Sequence, residues 1–417
     1  MRKSTRQRHP VARHGQQSSP GATSQLLKLI GIGLAVVLVS GLGVVGYVAA
    51  GWLTTVNANA VELDGTEALP PDIAALEGGF DILLTGVDTC EEKYKDLFGE
   101  RCTGPDAGGT LNDVNLLVHV SDEPRRITAV SFPRDLMVPI PECTDEEGNV
   151  HAAMSKQQLN VAYGDGGLNC VAKTISELTG QDIEFAASVT FGGVIEITNA
   201  IGGVEVCLAS PIKDRYTGLD MKAGNHTIQG VQALQFLRTR HGVGDGSDLG
   251  RIGNQQQYMS SLVRKLLSSD TLSNVPVMLK LADTGLNNVE ASTSLADPMK
   301  IVQIGMAVKD VAYEDIVFLQ YPVVDDPYDR NRVVPDVENA DLMWAAINEN
   351  KQLQVTHENT GSDGVVVQED PNAEPTPEAT ESATPTPTES ANSDVIALPD
   401  SIKGSSAAQQ TCSNGNG

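Results

Sequence analysis

The sequence predicts an α/β fold: an α/β/α sandwich with a central mixed β-sheet, preceded by one N-terminal transmembrane helix and followed by a disordered tail. Between residues 80 and 350, short apolar runs alternate with segments that repeat apolar residues at helical spacing. This alternation is typical of one sheet covered on both faces by helices. A charge-free stretch precedes this region, and a segment rich in Pro, Thr, Ser and Glu follows it.

The N-terminal segments predict a membrane anchor. Residues 1–28 contain Arg and Lys but no acid, and residues 29–53 contain no charge; as a helix, the latter would span a hydrocarbon core of roughly 30 Å. A basic flank before the span places the N-terminus inside and the rest outside the cell membrane. A cleaved signal peptide is the alternative, although its apolar part is usually about 7–15 residues. We therefore expect a cytoplasmic tail (1–28), a single transmembrane helix (29–53) and a linker (54–79).

The folded domain is expected at residues 80–350. Apolar runs bounded by turn residues predict strands at 80–87, 114–120, 127–132, 185–190, 204–208 and 316–320, of which the second and third form a hairpin. Helical spacing predicts helices at 168–178, 193–200, 230–239, 251–267, 297–308 and 342–347. Residues 351–417 are expected to be a disordered extracellular tail, because their composition cannot bury enough apolar surface to offset chain entropy.

Cysteines in an exported protein predict disulfides. The chain has six of them: Cys90, Cys102, Cys143, Cys170, Cys207 and Cys412. Our hypothesis pairs Cys90 with Cys102, which flank a polar loop, and pairs Cys143 with Cys170. Cys207 is then either a buried free thiol or the partner of Cys412.

An arginine cluster stands out in this acidic chain, whose formal net charge is -25. Such a charge argues against wholesale nucleic-acid binding, which needs a basic face. Arg238, Arg240 and Arg251 lie close together in the sequence, and guanidinium groups match phosphate oxygens bidentately. Arg251 and Gln255 would share a helix face. Arg238 and Arg240 share a face only in an extended chain, which predicts an extended end around residues 237–241.

Charged residues also follow or precede predicted strands. Asp88 follows the strand 80–87, Asp113 precedes 114–120, and Arg134 with Asp135 follows 127–132. If these strand ends are neighbours, two carboxylates and an arginine meet there, which is a donor set that suits Mg²⁺. The alternatives are a turn or cap role for Asp88 and a surface ion pair for Arg134 and Asp135.

Together these motifs resemble the LytR-CpsA-Psr family of cell-envelope enzymes. The resemblance runs from about residue 80 to 267, with family-like sequence to about 349, and rests on six segments in order: Gly86-Val87-Asp88-Thr89, Asn112-Asp113, Ser131-Phe132-Pro133-Arg134-Asp135, Leu159-Asn160-Val161-Ala162-Tyr163-Gly164, Ala200-Ile201-Gly202-Gly203-Val204 and the run from Gly218 to Gln257. It implies an α/β/α sandwich with an apolar pocket for a lipid tail. It also implies transfer of a glycopolymer from a polyprenyl-pyrophosphate carrier, through a phosphodiester, to peptidoglycan or a surface glycoprotein.

The resemblance assigns roles to the matching residues. Asp88 and Asp113 match the acids associated with Mg²⁺, and Asp113, Arg134 and Arg240 are the expected catalytic residues. The expected pyrophosphate-binding side chains are Arg134, Arg238, Arg240, Arg251 and Gln255. Asp113 and Asp248 are both candidates to accept the proton of the attacking hydroxyl.

Two positions depart from the family pattern. This chain has Leu111-Asn112-Asp113 where the family usually has Arg-Ser-Asp, so one phosphate-binding arginine is absent. It also has Gln158 where the family usually has Lys, with Lys156 two residues earlier. Both departures bear on how the pyrophosphate is held.

Three functions from different classes remain open. The first is a Mg²⁺-dependent phosphotransferase, with pyrophosphate hydrolysis as a side activity when no acceptor is present. The second is a non-catalytic, membrane-anchored binder of lipid-linked envelope intermediates, which the absent arginine favours. The third is a regulator, but an extracellular domain argues against DNA contact. The expected partners are therefore a lipid-linked glycopolymer, an acceptor on peptidoglycan or a surface protein, and the membrane, without nucleic acid.

Overall fold

The computed structural model describes residues 60–64, 79–98, 100–104, 110–145, 147–268, 284–285, 288–296, 298–356, 364–367 and 394–416. The predicted cytoplasmic tail and transmembrane helix, and most of the predicted linker, lie outside these residues. Within the described residues, no helix combines the length and the apolar character needed to cross a membrane.

Short strands and a few long helices make up the described domain. The strands are β1 (Phe80–Val87), β2 (Asn112–Val120), β3 (Ile127–Phe132), β4 (Met137–Ile140), β5 (Cys143–Thr144), β6 (Val150–His151), β7 (Met154–Gln158), β8 (Phe185–Thr190), β9 (Val204–Leu208), β10 (Ile212–Asp214), β11 (Leu219–Met221), β12 (Gly224–Ile228), β13 (Val289–Ala291), β14 (Ile316–Gln320), β15 (Val323–Asp325), β16 (Val333–Pro335), β17 (Gln352–Val355), β18 (Val365–Val367), β19 (Val395–Leu398), β20 (Gly404–Ser406) and β21 (Thr411–Ser413). The helices are α1 (Lys95–Phe98), α2 (Glu100–Thr103), α3 (Ala162–Thr179), α4 (Phe191–Ala200), α5 (Gly230–Arg238), α6 (Asp248–Leu266), α7 (Pro298–Val308) and α8 (Val337–Asn348).

A seven-stranded sheet lies at the centre of the described domain, in the order β13-β8-β1-β2-β3-β14-β20. β1 pairs antiparallel with β2 and parallel with β8, while β3 pairs antiparallel with β2 and parallel with β14. The sheet is therefore mixed, which confirms that part of the predicted fold class. The predicted hairpin of β2 and β3 is confirmed as well.

Helices cover both faces of this sheet because its strands alternate apolar side chains between the two faces. On one face, Leu83 and Leu117 pack in the main core, to which α3 and α8 contribute. On the other face, Leu116 and Phe318 pack with residues from α6, and Phe80 packs with residues from α7. Full burial of one such side chain stabilises the fold by about 1.5–3 kcal/mol.

Capping residues set two helix boundaries that periodicity alone placed too late. The Ser247 side chain accepts a hydrogen bond from the Gly250 N–H, so α6 begins at Asp248 rather than at residue 251. Asp336 accepts from the Asn339 N–H and starts α8 at Val337 rather than at residue 342. Helix α5 ends at Arg238, and the next residue is extended, with φ -62° and ψ 130°.

The prediction that residues 351–417 are disordered is wrong for the part of this segment that the structure describes. β17 pairs with β19, β20 extends the central sheet beside β14, and β21 pairs with β18 and β9. Each of the five strands in this segment, β17 to β21, has only three or four residues. Their partners lie far away in the sequence, so local composition could not reveal the pairing.

Three disulfides are present in the described residues. The predicted pairs Cys90–Cys102 and Cys143–Cys170 are confirmed. The alternative left open for Cys207 is decided as well, because Cys207 is bonded to Cys412 across a sequence separation of 205 residues. This bond fixes the C-terminal segment to β9.

Candidate active site

A cavity of about 490 Å³ lies beside the carboxyl end of β1. Residues of β1, β2, α4, α5 and α6 line it, and they are of two kinds. The aliphatic lining includes Leu84, Leu116, Val194, Ile197, Leu234 and Leu262. The charged and polar lining includes Asp113, Arg134, Arg238, Arg240, Arg251 and Gln255.

The structure brings all five predicted pyrophosphate-binding side chains to this cavity. Arg134 follows β3, Arg238 ends α5, Arg240 lies in the loop after α5, and Arg251 and Gln255 lie on α6. Such a concentration of positive charge in a concave site suits a phosphate-bearing ligand.

Asp113 occupies an irregular position at the edge of the cavity. Gly86 pairs with Val114, but Val87 pairs with Asn112, so Asp113 is the extra residue of a β-bulge. Its Oδ1 accepts a hydrogen bond of 2.8 Å from Nη1 of Arg134. The bulge therefore brings two of the predicted catalytic side chains into contact.

Asp248, in the first turn of α6, holds two of the arginines together. Its Oδ1 lies 2.9 Å from Nη2 of Arg251 and 3.4 Å from Nε of Arg134. Arg251 is buried and also donates 2.9 Å to the backbone oxygen of Asp113. Burial disfavours the charge of Arg134, but Asp113 and Asp248 outweigh this effect and raise the pKa of Arg134 above its usual value.

Within the described residues, four buried polar atoms of this cluster form no hydrogen bond: Nε of Arg134, Nε of Arg251 and the two carboxylate oxygens of Asp248, which contact the arginines as ion pairs only. A buried donor without an acceptor costs about 1–3 kcal/mol, so such a donor in a native structure calls for an explanation, such as an ion that it would bind. An anion in the cavity would provide the missing acceptors.

Arg238 and Arg240 are held by different means. The Arg238 guanidinium lies over the Phe191 ring, 4.5 Å from its centroid. The backbone N–H of Arg240 donates 3.2 Å to Oδ2 of the buried Asp214, which also accepts from Thr239 Oγ1 at 2.8 Å. Burial alone would raise the pKa of Asp214, but these and neighbouring hydrogen bonds lower it instead. Asp214 is thus a fixed anchor for the start of the Arg240 loop.

Gln255 links α6 to α5 through a hydrogen bond. Its Nε2 donates 2.9 Å to the Leu237 backbone oxygen, while the neighbouring Asn254 donates 2.8 Å to that of Phe236. These bonds satisfy carbonyl groups at the end of α5, which have no partner within the helix. Gln255 therefore supports the segment that carries Arg238 and Arg240, as well as lining the cavity.

The two predicted metal-binding acids lie at neighbouring strand ends. Asp88 is buried, and its Oδ1 accepts 2.8 Å from the N–H of Leu111, two residues before Asp113. The structure groups no three His, Cys, Asp or Glu side chains for a metal among the residues it describes. Two carboxylates fit Mg²⁺ only as a partial set, which phosphate and water oxygens would complete.

Comparison with known proteins identifies the family. A model of the LytR_cpsA_psr family matches residues 54–356, which is most of the chain. The chain belongs to the LytR_cpsA_psr family.

Individual relatives agree with this assignment. The chain is 31% identical over 315 residues to the cell wall biosynthesis protein LcpA of Corynebacterium glutamicum, a match that covers 70% of this chain but only 58% of LcpA. It is 25% identical to the polyisoprenyl-teichoic acid–peptidoglycan teichoic acid transferase TagT of Bacillus subtilis, covering 67% of this chain and 75% of TagT. The crystal structure of B. subtilis TagV has the same fold, with a TM-score of 0.51, 22% identity, and coverage of 66% of this chain and 98% of TagV.

Gln158, which stands where the LytR_cpsA_psr family usually has Lys, lies beside Arg332, a residue that the sequence analysis did not single out. With the Gln158 amide turned so that its oxygen rather than its nitrogen faces Arg332, that oxygen accepts a hydrogen bond of 2.5 Å from Nε of Arg332. Arg332 also pairs with Asp135, with 3.0 Å between Nη1 and Oδ1. Lys156 is engaged elsewhere, 2.6 Å from the buried Asp326. Arg332 lies 197 residues from Asp135, so no local spacing could have identified it.

Proposed function

We propose that this chain transfers a glycopolymer from a polyprenyl-pyrophosphate carrier to a cell-wall acceptor, either peptidoglycan or a surface protein, and releases polyprenyl phosphate. The observation that carries the proposal is one cavity that combines four arginines with an aliphatic lining. Guanidinium groups suit a pyrophosphate, and aliphatic side chains suit an isoprenoid chain. The names of two relatives, the cell wall biosynthesis protein LcpA and the teichoic acid transferase TagT, support it.

The proposed reaction is phosphoryl transfer. An oxygen of the acceptor hydroxyl attacks the phosphorus nearer the glycan, the bond from that phosphorus to the bridging oxygen breaks, and polyprenyl phosphate leaves. Arg134 and Arg240 would stabilise the charge that develops on the phosphate oxygens, which is the main catalytic contribution in such reactions. Asp113 and Asp248 are the two candidates to accept the hydroxyl proton: both contact Arg134, and Asp113 lines the cavity.

Mg²⁺ is the proposed cofactor, and Asp88 and Asp113 would hold it. When bound, it would supply positive charge next to the pyrophosphate oxygens. The proposal is supported by the carboxylate oxygens of two neighbouring strand ends, which match the ligand preference of this ion.

The proposed location is the cell membrane, with residues 29–53 as a single span, the N-terminus inside and the catalytic domain (80–350) outside. The basic flank of residues 1–28 and the uncharged span support this orientation. An extracellular domain would have access to cell-wall acceptors, while its membrane anchor would keep it near a lipid-linked donor.

A phosphate-release assay tests the proposed function. Full-length protein in detergent micelles is given geranylgeranyl pyrophosphate as a donor analogue, with Mg²⁺ or with EDTA. We expect Mg²⁺-dependent phosphate release, the proposed side activity. We expect Arg134→Ala to slow it by about 100-fold or more, since it removes charge stabilisation of the transition state.

Arg264→Ala is the matched control for this assay. Arg264 also lies on α6, but it bonds to Ser260 and to the Ala407 backbone oxygen rather than lining the cavity. Its release rate per folded molecule should equal that of the wild type. Binding of the analogue without release, even after a lipid-linked glycan donor and peptidoglycan are added, would favour the non-catalytic binder instead. Equal release in EDTA would contradict the Mg²⁺ assignment.

A further inference from the structure

The C-terminal strap, defined as residues 411–416, runs alongside the loop that carries Arg240. The Gly244 N–H donates 3.0 Å to the Asn414 oxygen, and Val243 forms an isolated β-bridge with Gly415. Asn416 bonds twice to the loop, from Nδ2 to the His241 oxygen at 2.9 Å and from its backbone N–H to the Gly242 oxygen at 3.2 Å. The loop from His241 to Gly244 therefore has its backbone bonded to the strap.

The other side of the strap is fixed to the body of the domain. Cys412 is bonded to Cys207, and the Ala209 N–H donates 2.8 Å to the Ser413 oxygen. Ser210 receives a hydrogen bond of 2.7 Å from the Gly415 N–H. A Cβ on Gly415 would lie only 1.9 Å from the Pro211 oxygen, so no larger residue fits there without moving the strap.

Arg240 is thus held from two directions. Asp214 fixes its backbone N–H, while the strap fixes the backbone of His241, whose Nε2 lies 3.2 Å from Nη2 of Arg240. Because the backbone is held on both sides of its side chain, Arg240 has less conformational freedom to lose when it binds a ligand.

We infer that the C-terminal strap is a positioning element of the active site, which holds the Arg240 guanidinium towards the pyrophosphate of the donor. This inference rests on the proposed pyrophosphate site. It gives a role to the end of a segment whose composition predicts disorder, and it makes Gly415 and Asn416 positioning residues rather than catalytic ones.

A double-mutant cycle tests the inference. Binding of geranylgeranyl pyrophosphate to the full-length protein is measured by calorimetry for the wild type, Gly415→Val, Arg240→Ala and the double variant. We expect Arg240→Ala to weaken binding by about 10- to 100-fold, as removal of a charged hydrogen bond does. Gly415→Val should weaken it about tenfold, but the double variant should bind no more weakly than Arg240→Ala alone, because both changes remove one contribution.

Gly404→Val is the matched control, because it is the same substitution in the same C-terminal segment, but in β20 rather than in the strap. A Cβ at Gly404 would lie 2.4 Å from the Phe318 oxygen, in the central sheet and away from the Arg240 loop. It should lower the thermal stability and leave the affinity of the folded protein unchanged. Asn416→Ala, which removes only a side-chain hydrogen bond, serves if Gly415→Val does not fold and should weaken binding severalfold.

Two results would overturn the inference: wild-type affinity in both strap variants, or losses that multiply in the double variant. Amide hydrogen exchange at residues 241–244 tests the inference without a ligand. We expect faster exchange in Gly415→Val and Asn416→Ala than in the wild type. Unchanged exchange would overturn the positioning role. The proposed function fails separately, when the wild type binds the analogue but neither releases phosphate nor transfers a glycan.

Discussion

Carboxylates with little solvent exposure lie at both ends of β1, but within the described residues arginines contact them at only one end. At the cavity end, Asp113 and Asp248 contact Arg134 and Arg251. At the other end, Asp81 lies beside His119, and its backbone N–H donates 2.7 Å to the Glu184 side chain. Guanidinium groups thus balance the negative charge of the acids at the cavity end of β1, but not at the other end.

The two ends of β1 also differ in what burial does to the acids. Burial raises the pKa of Asp81 even though His119 opposes it, and burial raises the pKa of Glu184 to about 7. At the cavity end, the acids act as counter-ions that hold arginines in a partly desolvated site. Four arginines and two aspartates, Asp113 and Asp214, line the cavity, which leaves an excess of positive charge where we place the pyrophosphate.

The largest expected effect comes from neutralising one acid at each end. Asp248→Asn should lower the free energy of unfolding by about 3 kcal/mol, because it removes the carboxylate that Arg134 shares with the buried Arg251. Asp81→Asn should change it by less than about 1 kcal/mol at pH 7, because burial already disfavours the charge there. Urea unfolding of both variants measures the difference. Equal losses in the free energy of unfolding would contradict the proposed difference between the two ends of β1.

The pH dependence of stability sharpens the comparison at the end without arginines. Glu184 binds its proton more tightly in the folded state, so its contribution is complete below its unfolded pKa of 4.5 and is lost as the pH rises through about 7. We expect the free energy of unfolding to fall by about 2 kcal/mol over this range, allowing for solvent screening. Glu184→Gln should flatten the slope in urea unfolding. An unchanged slope would show that other groups cause it.

A smaller effect is expected for Arg332, at the margin of the cavity cluster. Its side chain and that of Asp135 are 32% and 21% exposed, so we expect Arg332→Ala to lower the free energy of unfolding by about 0.5–1 kcal/mol. Thermal unfolding with Arg332→Lys as the conservative control measures it. A loss as large as that of Asp248→Asn would mean that Arg332 belongs to the buried arginine set.

The smallest effect is expected for a fully exposed pair. Lys213 and Asp220 lie 2.9 Å apart, but their side chains are 77% and 67% exposed. Lys213→Ala should leave the melting temperature unchanged in physiological salt, because exposed pairs are screened. A clear decrease in the melting temperature would show that exposed charged pairs also stabilise this protein, so burial would not determine which pairs contribute.

Local sequence was a good guide to the central strands and a poor one to element ends. β1 lies where the run of apolar residues predicted it, because buried strands of a mixed sheet are apolar and end at turn residues. Helix α6 starts earlier than its apolar period indicates, since the Ser247 cap decides where it begins. Arg332 and the C-terminal strap escaped prediction because their contacts join residues that are far apart in the chain.

The sequence by itself determined the mixed α/β fold, the LytR_cpsA_psr family, two disulfides and the set of arginines that line the cavity. Periodicity and motif spacing are local properties, so they can be read along the chain. The tertiary structure decided how these groups meet: the β-bulge that puts Asp113 against Arg134, the Asp248 bridge, and the strap beside Arg240. Such contacts depend on sheet register and long-range packing, which no local pattern specifies.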